Sequence, residues 1–450
     1  MVERIRERMA RSKAYRLILV TAIAYAVMRL AIHIGYMVVM LVPALGFMDS
    51  AKTAAGAPLE PMVPVDLQIY LDAAARLRDG LPLYPTGEII EVFQYAPPYA
   101  LVNVPFLWLP RWMTVLVHTG LHLAAYVALY FVWARIFRTC GLPRAVDSLV
   151  LMVPVWLVFS AFWSDLGYLN IYIIVALLGS LLIDALLREK LGASLLWLSL
   201  ILQTKPHWAF ALAVPVLLGR LRFFVKLVAA AAAAYLGIVG ITMLVAGPSY
   251  VLEQMLAYRH FLSDLSEVFP WRGPADPFLG YNHSVKQVIY YGLGVTPTVT
   301  SVVAAVKLAL LVPLGLIAVR FYLRARQRST FTTQTALELA FAFYLGAFIW
   351  LDMVWELSLG IVIYTYLVSA EVCGSSRVVV HSVFLPYALL DLWQLLSVVI
   401  FGVEAVSPGM YILTDPSIYV PMILGVLLLF YALLVNRLWR VSRQQPALLR

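Results

Sequence analysis

An aspartate at the start of a helix-like segment is the first residue whose type and setting could support catalysis. Asp66 opens the stretch PVDLQIYLDAAARLRDGLPLY (64–84), where apolar residues recur at helical spacing. This spacing predicts an amphipathic helix over residues 66–79 that lies at a membrane surface and ends at Gly80 and Pro82. Two compatible interpretations of Asp66 remain open. It can cap the helix by accepting backbone N–H bonds, or act as a general base held at the helix end.

A lysine lies beside a proline inside a second notable stretch. Residues 191–220 read LGASLLWLSLILQTKPHWAFALAVPVLLGR, an apolar run that Lys205, Pro206 and His207 interrupt. Since Lys205 has no obvious acidic partner nearby in sequence, an anionic ligand such as a phosphate would supply its counter-charge, with His207 as a second donor. The alternatives are a lysine that extends to the lipid headgroups and a histidine that only lines a polar region.

Two further groups of polar residues are candidates for ligand binding. Asn282 and His283 begin a short amphipathic segment, where a role in capping that segment is the alternative. Trp355 and Glu356 could stack on a sugar ring and accept hydrogen bonds from its hydroxyls, although Trp355 could also belong to an interfacial aromatic belt. There is no cysteine–histidine metal spacing, P-loop, Rossmann glycine pattern or Gly-x-Ser-x-Gly. We therefore predict neither a metal nor a cofactor.

The elements that must position these residues are membrane helices. The chain of 450 residues is 63% hydrophobic and only 13% charged, whereas a soluble domain is about 25% charged. Many windows of about 20 residues are almost free of charge, which is the length that spans a bilayer. The net charge of +9 lies mostly in short basic clusters between apolar runs, as in membrane proteins. These features predict an all-α, polytopic membrane protein that binds membrane lipids and no nucleic acid.

The basic clusters also predict an orientation in the cell membrane. Six Lys and Arg residues precede the first apolar run and place the N-terminus in the cytoplasm, and the later clusters put the C-terminus there as well. We predict one membrane-embedded domain over residues 1–450 with ten to twelve spans. Residues 48–112 form the first external loop and residues 247–298 the second large one. Residues 191–220 form a hairpin of two half-helices with Lys205 near its outer apex.

The order of several motifs resembles glycosyltransferase family 87. The first-loop series is Asp66–x3–Tyr70, Gly80–x2–Leu83–Tyr84, Tyr95–x–Pro97–Pro98, Pro105 and Leu109–Pro110. Weaker matches follow in order as far as residue 360, and they are Gly167 to Asn170, Lys205–Pro206, Asn282–x–Ser284 and Trp355. Two places depart from the family. Tyr168-Leu169 stands where Gly-Gln often precedes the asparagine, and LDMVWELSLG replaces a Ser-Pro-x-x-Trp motif.

The resemblance implies a GT-C fold and a polyprenyl-phosphate-mannose-dependent α-mannosyltransferase. Its donor would be a polyprenyl-phosphate sugar, its acceptor a lipid or glycan, and its site would face the non-cytoplasmic side. Asp66 would deprotonate the acceptor hydroxyl, so that one displacement inverts the β-linked donor. We expect Lys205 and His207 to bind the donor phosphate. The expected substrate-binding residues are Tyr70, Tyr95, Asn170, Asn282, His283, Trp355 and Glu356.

Two alternatives to this function remain. The same fold could use another lipid-linked sugar, such as arabinofuranose. A lipid or sugar transporter belongs to a different class, and transporters usually contain two related halves with matched broken helices. The sequence contains no internal repeat of that kind. One long early loop with an acidic helix favours the enzyme.

Overall fold

The fold is entirely helical wherever the structure describes it. A computed structural model describes residues 1–42, 63–84, 93–268, 282–326, 331–355, 357–369, 372, 377–401 and 416–443, and these residues contain no β-strand. Parts of both predicted external loops lie outside those ranges, namely residues 48–62, 85–92 and 269–281. The same holds for Glu356.

The helices are numbered in chain order. They are α1 (Val2–Arg11), α2 (Lys13–Leu41), α3 (Val65–Arg78), α4 (Pro97–Asn103), α5 (Arg111–Thr139), α6 (Pro143–Leu151), α7 (Val153–Val158), α8 (Ser160–Tyr168), α9 (Tyr172–Leu187), α10 (Leu191–Thr204), α11 (Ala213–Leu217), α12 (Leu221–Ala246), α13 (Pro248–Val268), α14 (Val285–Leu293), α15 (Pro297–Arg326), α16 (Thr333–Trp350), α17 (Gly360–Leu367), α18 (Arg377–Ala388), α19 (Leu390–Phe401) and α20 (Pro416–Arg443). Two 3₁₀ helices, Val104–Trp108 and Pro206–Leu212, join neighbouring α-helices.

Among the residues that the structure describes, five helices are long and apolar enough to cross a membrane, namely α2, α5, α12, α15 and Met422–Arg443 of α20. Two helix pairs bent by 52° and 50° raise the number to seven if each counts as one span. The protein is therefore an all-α, multi-pass membrane protein, as predicted. The ten to twelve predicted spans also include shorter apolar helices, such as α9 and α10, which this count of long helices leaves out.

Helix α3 forms where the apolar spacing predicted a helix, at Val65–Arg78 instead of 66–79. Its apolar residues are buried against α4, the 3₁₀ helix Val104–Trp108 and α8. Pro64 precedes the helix and makes no side-chain cap, so Asp66 lies in the first turn and is not the N-cap residue. Gly80 has a φ of +69°, in the left-handed region that favours glycine, and turns the chain after the helix. The packing of α3 thus fixes the position of Asp66 in the first turn of the helix.

The apolar run around Lys205 is broken, as its proline predicted. Helix α10 ends at Thr204, Lys205 itself is extended, and the 3₁₀ helix Pro206–Leu212 leads into α11. Proline removes a backbone donor and disfavours helical geometry in the preceding residue, so the break follows directly from the sequence. The break lies against α9 and α16, and it places the Lys205 side chain among elements from three regions of the chain.

Ion pairs connect the basic helix ends to one another. Arg135 and Arg188 both bind Asp184, Arg4 binds Asp147, and Arg437 binds Glu338. Arg324 also donates a hydrogen bond to the backbone carbonyl of Val441 near the C-terminus. These contacts join clusters that the sequence assigned to the same membrane face. The cytoplasmic placement of that face stays a prediction.

An ion pair between a partly exposed arginine and a buried aspartate joins α2 to α19. The Arg29 guanidinium donates from Nε and Nη2 to the two Asp391 carboxylate oxygens over 2.8 and 2.9 Å, and the Tyr25 hydroxyl donates to the same carboxylate. The Asp391 backbone N–H donates to Ser160 Oγ, which donates in turn to the Ala388 carbonyl at the bend between α18 and α19. Asp391 therefore contacts α2 through its carboxylate and α8 through its backbone N–H.

Replacing this carboxylate should destabilise the protein strongly. Asp391→Ala removes the counter-ion of Arg29 in a buried position, and we expect a loss of about 3–5 kcal/mol in the free energy of unfolding. Arg4→Ala breaks an exposed pair and should change stability by less than about 1 kcal/mol. Unfolding of the detergent-solubilised variants, followed by tryptophan fluorescence, measures both. Equal stability of Asp391→Ala and wild type would contradict the bracing role.

Candidate active site

Asp66 is held by an amide from a distant part of the chain. Asn170 Nδ2 donates to Asp66 Oδ2 over 3.0 Å. The Asn170 Oδ1 atom accepts from the Ile171 backbone N–H at 2.7 Å and from the Tyr70 hydroxyl at 3.2 Å. Because the amide oxygen has these donors, the amide nitrogen must face Asp66. Asn170 thus orients the Asp66 carboxylate through an uncharged amide, which does not neutralise it.

The backbone before Asn170 has an unusual conformation. Leu169 is buried and has a φ of +52°, in a region that branched side chains rarely adopt. This residue ends α8, and the next N–H, that of Asn170, donates to the Asp165 carbonyl over 3.1 Å. The left-handed turn aims Asn170 at α3. It occurs at the place where the sequence departs from the Gly-Gln that is usual in the family it resembles.

A cluster of tyrosines encloses the Asp66–Asn170 pair on one side. The Tyr70 and Tyr95 hydroxyls lie 3.1 Å apart, and the Tyr95 and Tyr99 ring centroids are separated by 4.7 Å. Burial raises the pKa of Tyr70 and of Tyr95 well above its ordinary value. Both hydroxyls therefore remain protonated donors at neutral pH. These contacts bring the predicted residues Asp66, Tyr70, Tyr95 and Asn170 together.

Asp165 and His122 stabilise the turn that carries Asn170. Neither residue was among the predicted site residues. Both Asp165 carboxylate oxygens accept backbone N–H bonds at the start of α9, from Tyr172 at 3.1 Å and Ile173 at 3.0 Å. His122 Nε2 lies 3.6 Å from the same carboxylate and contacts the Asn170 carbonyl. An acidic residue just before an apolar span was the sequence signal for such a cap.

Lys205 lies beside this group. Its ammonium nitrogen is 3.8 Å from the centroid of the Tyr172 ring and 5.1 Å from that of Tyr95, within range of cation–π attraction. It also interacts electrostatically with both Asp66 and Asp165. No acidic residue lies near Lys205 in the sequence, but the fold brings two carboxylates within electrostatic range of it. His207 packs on Phe348, with ring centroids 6.0 Å apart.

A cavity of about 660 Å³ extends from Lys205, a size typical of pockets that hold small ligands. Tyr95, Lys205, His207 and Trp355 line it, whereas Asp66, Tyr70, Asn170, Asn282 and His283 are not among its lining residues. Helix α15 contributes one face to its wall through Thr300, Val303, Ala304, Lys307 and Leu308. Some of the predicted residues thus line the cavity, and the others lie outside its lining.

Asn282 and His283 connect two segments of backbone. Asn282 is 2% exposed, donates to the Asp352 carbonyl at 2.8 Å, and accepts from the N–H groups of Val354 and Ser284. The His283 N–H donates to the Val354 carbonyl at 2.7 Å, and burial lowers the pKa of its imidazole to about 3, so the ring is neutral at physiological pH. These bonds hold residues 352–355, and with them Trp355, against the cavity.

Two lysines that the sequence analysis did not select lie in the same cavity. Lys286 Nζ is 3.1 Å from Asp352 Oδ2, while Lys307 binds Asp352 Oδ1 and the carbonyls of Trp350 and Leu351. A lysine inside the long apolar helix α15 was the signal that could have identified Lys307. Within the ranges that the structure describes, no group of three or more His, Cys, Asp or Glu could hold a metal ion.

The comparisons with known proteins give one match. The sequence model of glycosyltransferase family 87 matches residues 93–351, which is more than half of the chain. The chain belongs to glycosyltransferase family 87. No curated protein and no solved structure matches it.

Membership of family 87 makes the protein a membrane glycosyltransferase that acts on lipid-linked sugar substrates. The matched segment includes Tyr95, Asn170, Lys205, Lys286 and Lys307, and it ends one residue before Asp352. Asp66 and Tyr70 precede it, and Trp355 and Glu356 follow it. The match therefore covers the partners that hold Asp66 but not the aspartate itself.

The hydrogen bonds of Asn282 predict a stability defect in its alanine variant. Asn282→Ala leaves buried backbone groups of Asp352, Val354 and Ser284 without a partner, and we expect a loss of about 2–4 kcal/mol in unfolding free energy. Asp66→Asn, in which the carboxylate is replaced at a partly exposed site, should unfold at the wild-type midpoint. If Asn282→Ala instead unfolded like wild type while transfer was lost, Asn282 would be a substrate contact.

Proposed function

We propose that the protein transfers mannose from polyprenyl-phosphate mannose to a lipid or glycan acceptor, with inversion and with Asp66 as general base. The observation that carries the proposal is the Asp66 carboxylate of a family 87 protein, which Asn170 orients and which interacts electrostatically with Lys205, a residue that lines the cavity. A general base needs a fixed orientation toward the proton that it accepts, and the hydrogen bond from the Asn170 amide gives the Asp66 carboxylate that orientation.

The reaction requires one displacement. The acceptor hydroxyl gives its proton to Asp66 as its oxygen forms a bond to the anomeric carbon of the donor. The bond between that carbon and the phosphate oxygen breaks, and its electron pair leaves with the polyprenyl phosphate. Attack opposite to the leaving group converts a β-linked donor to an α-linked product. Lys205, with His207, interacts with the phosphate during this step.

The placement in the cell is part of the same proposal. The site faces the non-cytoplasmic side of the plasma membrane, and both termini are cytoplasmic, as the distribution of Lys and Arg indicates. A donor with a polyprenyl chain keeps its tail in the bilayer while its sugar phosphate enters the cavity. Tyr70, Tyr95, Asn170 and Trp355 surround or support the region where the two substrates meet.

Asp66→Asn should abolish transfer. The amide keeps the size of the side chain but cannot accept the acceptor's proton, so we expect turnover to fall by at least about 100-fold. Donor binding should stay within about 3-fold of wild type, because the lysine groups are unchanged. Reconstituted protein with polyprenyl-phosphate mannose and membrane lipids gives both quantities. Full transfer by Asp66→Asn would exclude the general-base role.

Lys205→Ala should weaken donor binding and turnover together. Removing the ammonium group takes a cation from beside Asp66 and the donor phosphate, and loss of a charged hydrogen-bond donor costs about 1.5–3 kcal/mol, or about 10- to 100-fold. Lys205→Arg keeps the charge and should recover part of the loss. Unchanged kinetics of Lys205→Ala would assign the lysine to headgroup contact.

A further inference from the structure

A separate group of cations lies on α15, far from the cavity. Lys307 of this helix lines the cavity, whereas Arg320 comes 13 residues later and is not among the lining residues. At a rise of about 1.5 Å per residue, the two positions lie about 20 Å apart along the helix axis. Arg320 therefore belongs to a different site from the one that faces the sugar donor.

Two arginines from different helices meet on one tryptophan. The guanidinium carbon of Arg320, on α15, lies 4.0 Å from the centroid of the Trp439 ring, and that of Arg443, at the end of α20, lies 4.8 Å from it. Both distances are within the range of cation–π attraction, which positions a cation but does not neutralise it. Trp439 therefore holds two positive charges close to each other.

No carboxylate balances these two charges in the part of the chain that the structure describes. Neither Arg320 nor Arg443 has a salt bridge there. Among the same residues, Arg320 Nη1 is buried and has no hydrogen-bond partner. Glu338, on the adjacent helix α16, is already bound to Arg437 and Tyr366. The two guanidinium groups thus lack a counter-ion from the described protein.

The helix ends account for only part of this charge. A helix C-terminus attracts cations with about half an elementary charge, so the ends of α15 and α20 together offset about one. Arg324 already donates to the Val441 carbonyl near the end of α20, over 3.1 Å. Arg320 and Arg443 add two positive charges, and the repulsion between like charges is strong where little water is present. An anion bound between them would remove this repulsion.

The surface beside Arg320 indicates which kind of molecule carries the anion. Leu316, Val319 and Leu323 of α15 are 50%, 57% and 52% exposed. Residues three and four positions apart share a helix face, so Leu316 and Leu323 flank Arg320 on the surface of a membrane-spanning helix. Exposed apolar side chains of such a helix contact acyl chains, while Arg and Trp near its end lie at the level of the headgroups. This combination fits a phospholipid better than a free ion.

We propose that Arg320 and Arg443 bind the phosphate of an anionic phospholipid, with Trp439 holding both guanidinium groups in place. Each guanidinium group can donate two parallel N–H bonds to phosphate oxygens. Two such groups favour a headgroup with a net negative charge over a zwitterionic one. The acyl chains lie along Leu316 and Leu323, and the lipid bridges the ends of α15 and α20. This site is independent of the proposed sugar transfer.

Native mass spectrometry of the full-length, delipidated protein in detergent tests the site. The probes are dioleoyl phosphatidylglycerol, dioleoyl phosphatidylcholine and inorganic phosphate, which differ in net charge or lack acyl chains. The first phosphatidylglycerol should bind at least about 10-fold more tightly than phosphatidylcholine, and phosphate should not compete with it at equal concentration. Arg320→Gln and Arg443→Gln should each weaken phosphatidylglycerol binding by about 10- to 100-fold, because each removes a charged hydrogen-bond donor.

Matched variants distinguish this site from general positive charge. Arg326→Gln and Arg440→Gln remove exposed arginines from the same two helix ends, and they should weaken phosphatidylglycerol binding by less than about 5-fold. Trp439→Leu keeps every arginine but removes the ring, and it should weaken binding by about 10-fold. Unfolding midpoints in lipid-free detergent identify any variant that is not folded. Arg443 is exposed, so its variant keeps the test valid if Arg320→Gln is unstable.

Four results would overturn the inference. The first is equal affinity for phosphatidylglycerol and phosphatidylcholine. The second is a loss in folded Arg320→Gln or Arg443→Gln that is no larger than in the two control variants. The third is wild-type affinity in Trp439→Leu, which would leave general positive charge as the explanation. The fourth is displacement of the lipid by inorganic phosphate at equal concentration, which would assign the two arginines to a free anion. Failure of sugar transfer would leave all four comparisons unchanged.

Discussion

The hydrogen bond from Asn170 to Asp66 joins residues 104 positions apart and depends on structure at both ends. On one side, α3 must pack its apolar face so that its first turn points toward the turn after α8. On the other, Leu169 must adopt a left-handed conformation, and Asp165 must fix the start of α9. Tyr70 and His122 then contact the two ends of Asn170. Each of these features serves to orient one carboxylate.

The charged side chains around the cavity of this mostly apolar protein lie close to side chains of opposite charge. Lys205 is shared between Asp66 and Asp165, and Lys286 and Lys307 are shared by Asp352. Isolated charges in a membrane protein are costly, so each of these ions has a partner from another helix. The cavity between the two groups is the region where a sugar phosphate would find cations on both sides. The same principle holds farther away, where Arg29 and Asp391 brace α2 and α19.

Local patterns in the sequence predicted the helices, but they did not predict the contacts between residues that are distant in the chain. Apolar spacing predicted α3 to within one residue at each end, and Lys205–Pro206 predicted the break after α10. Hydropathy predicted a multi-pass membrane protein, but it does not show where an apolar run folds into short or bent helices. Lys286 and Lys307 could not be paired with Asp352 from sequence, since they are 66 and 45 residues away from it. The backbone bonds of Asn282 to residues 352 and 354 could not be predicted either, and its role in substrate binding stays a prediction.

Identification of the transferred sugar and the product is the most direct measurement of the central claim. Purified protein would be incubated with polyprenyl-phosphate mannose and a native lipid extract, and the products analysed by mass spectrometry and by an α-specific mannosidase. The account predicts a new product that is one hexose heavier than an acceptor, sensitive to the α-mannosidase, together with free polyprenyl phosphate. Release of the polyprenyl phosphate without a glycosylated product, or a product with a retained β-linkage, would contradict it.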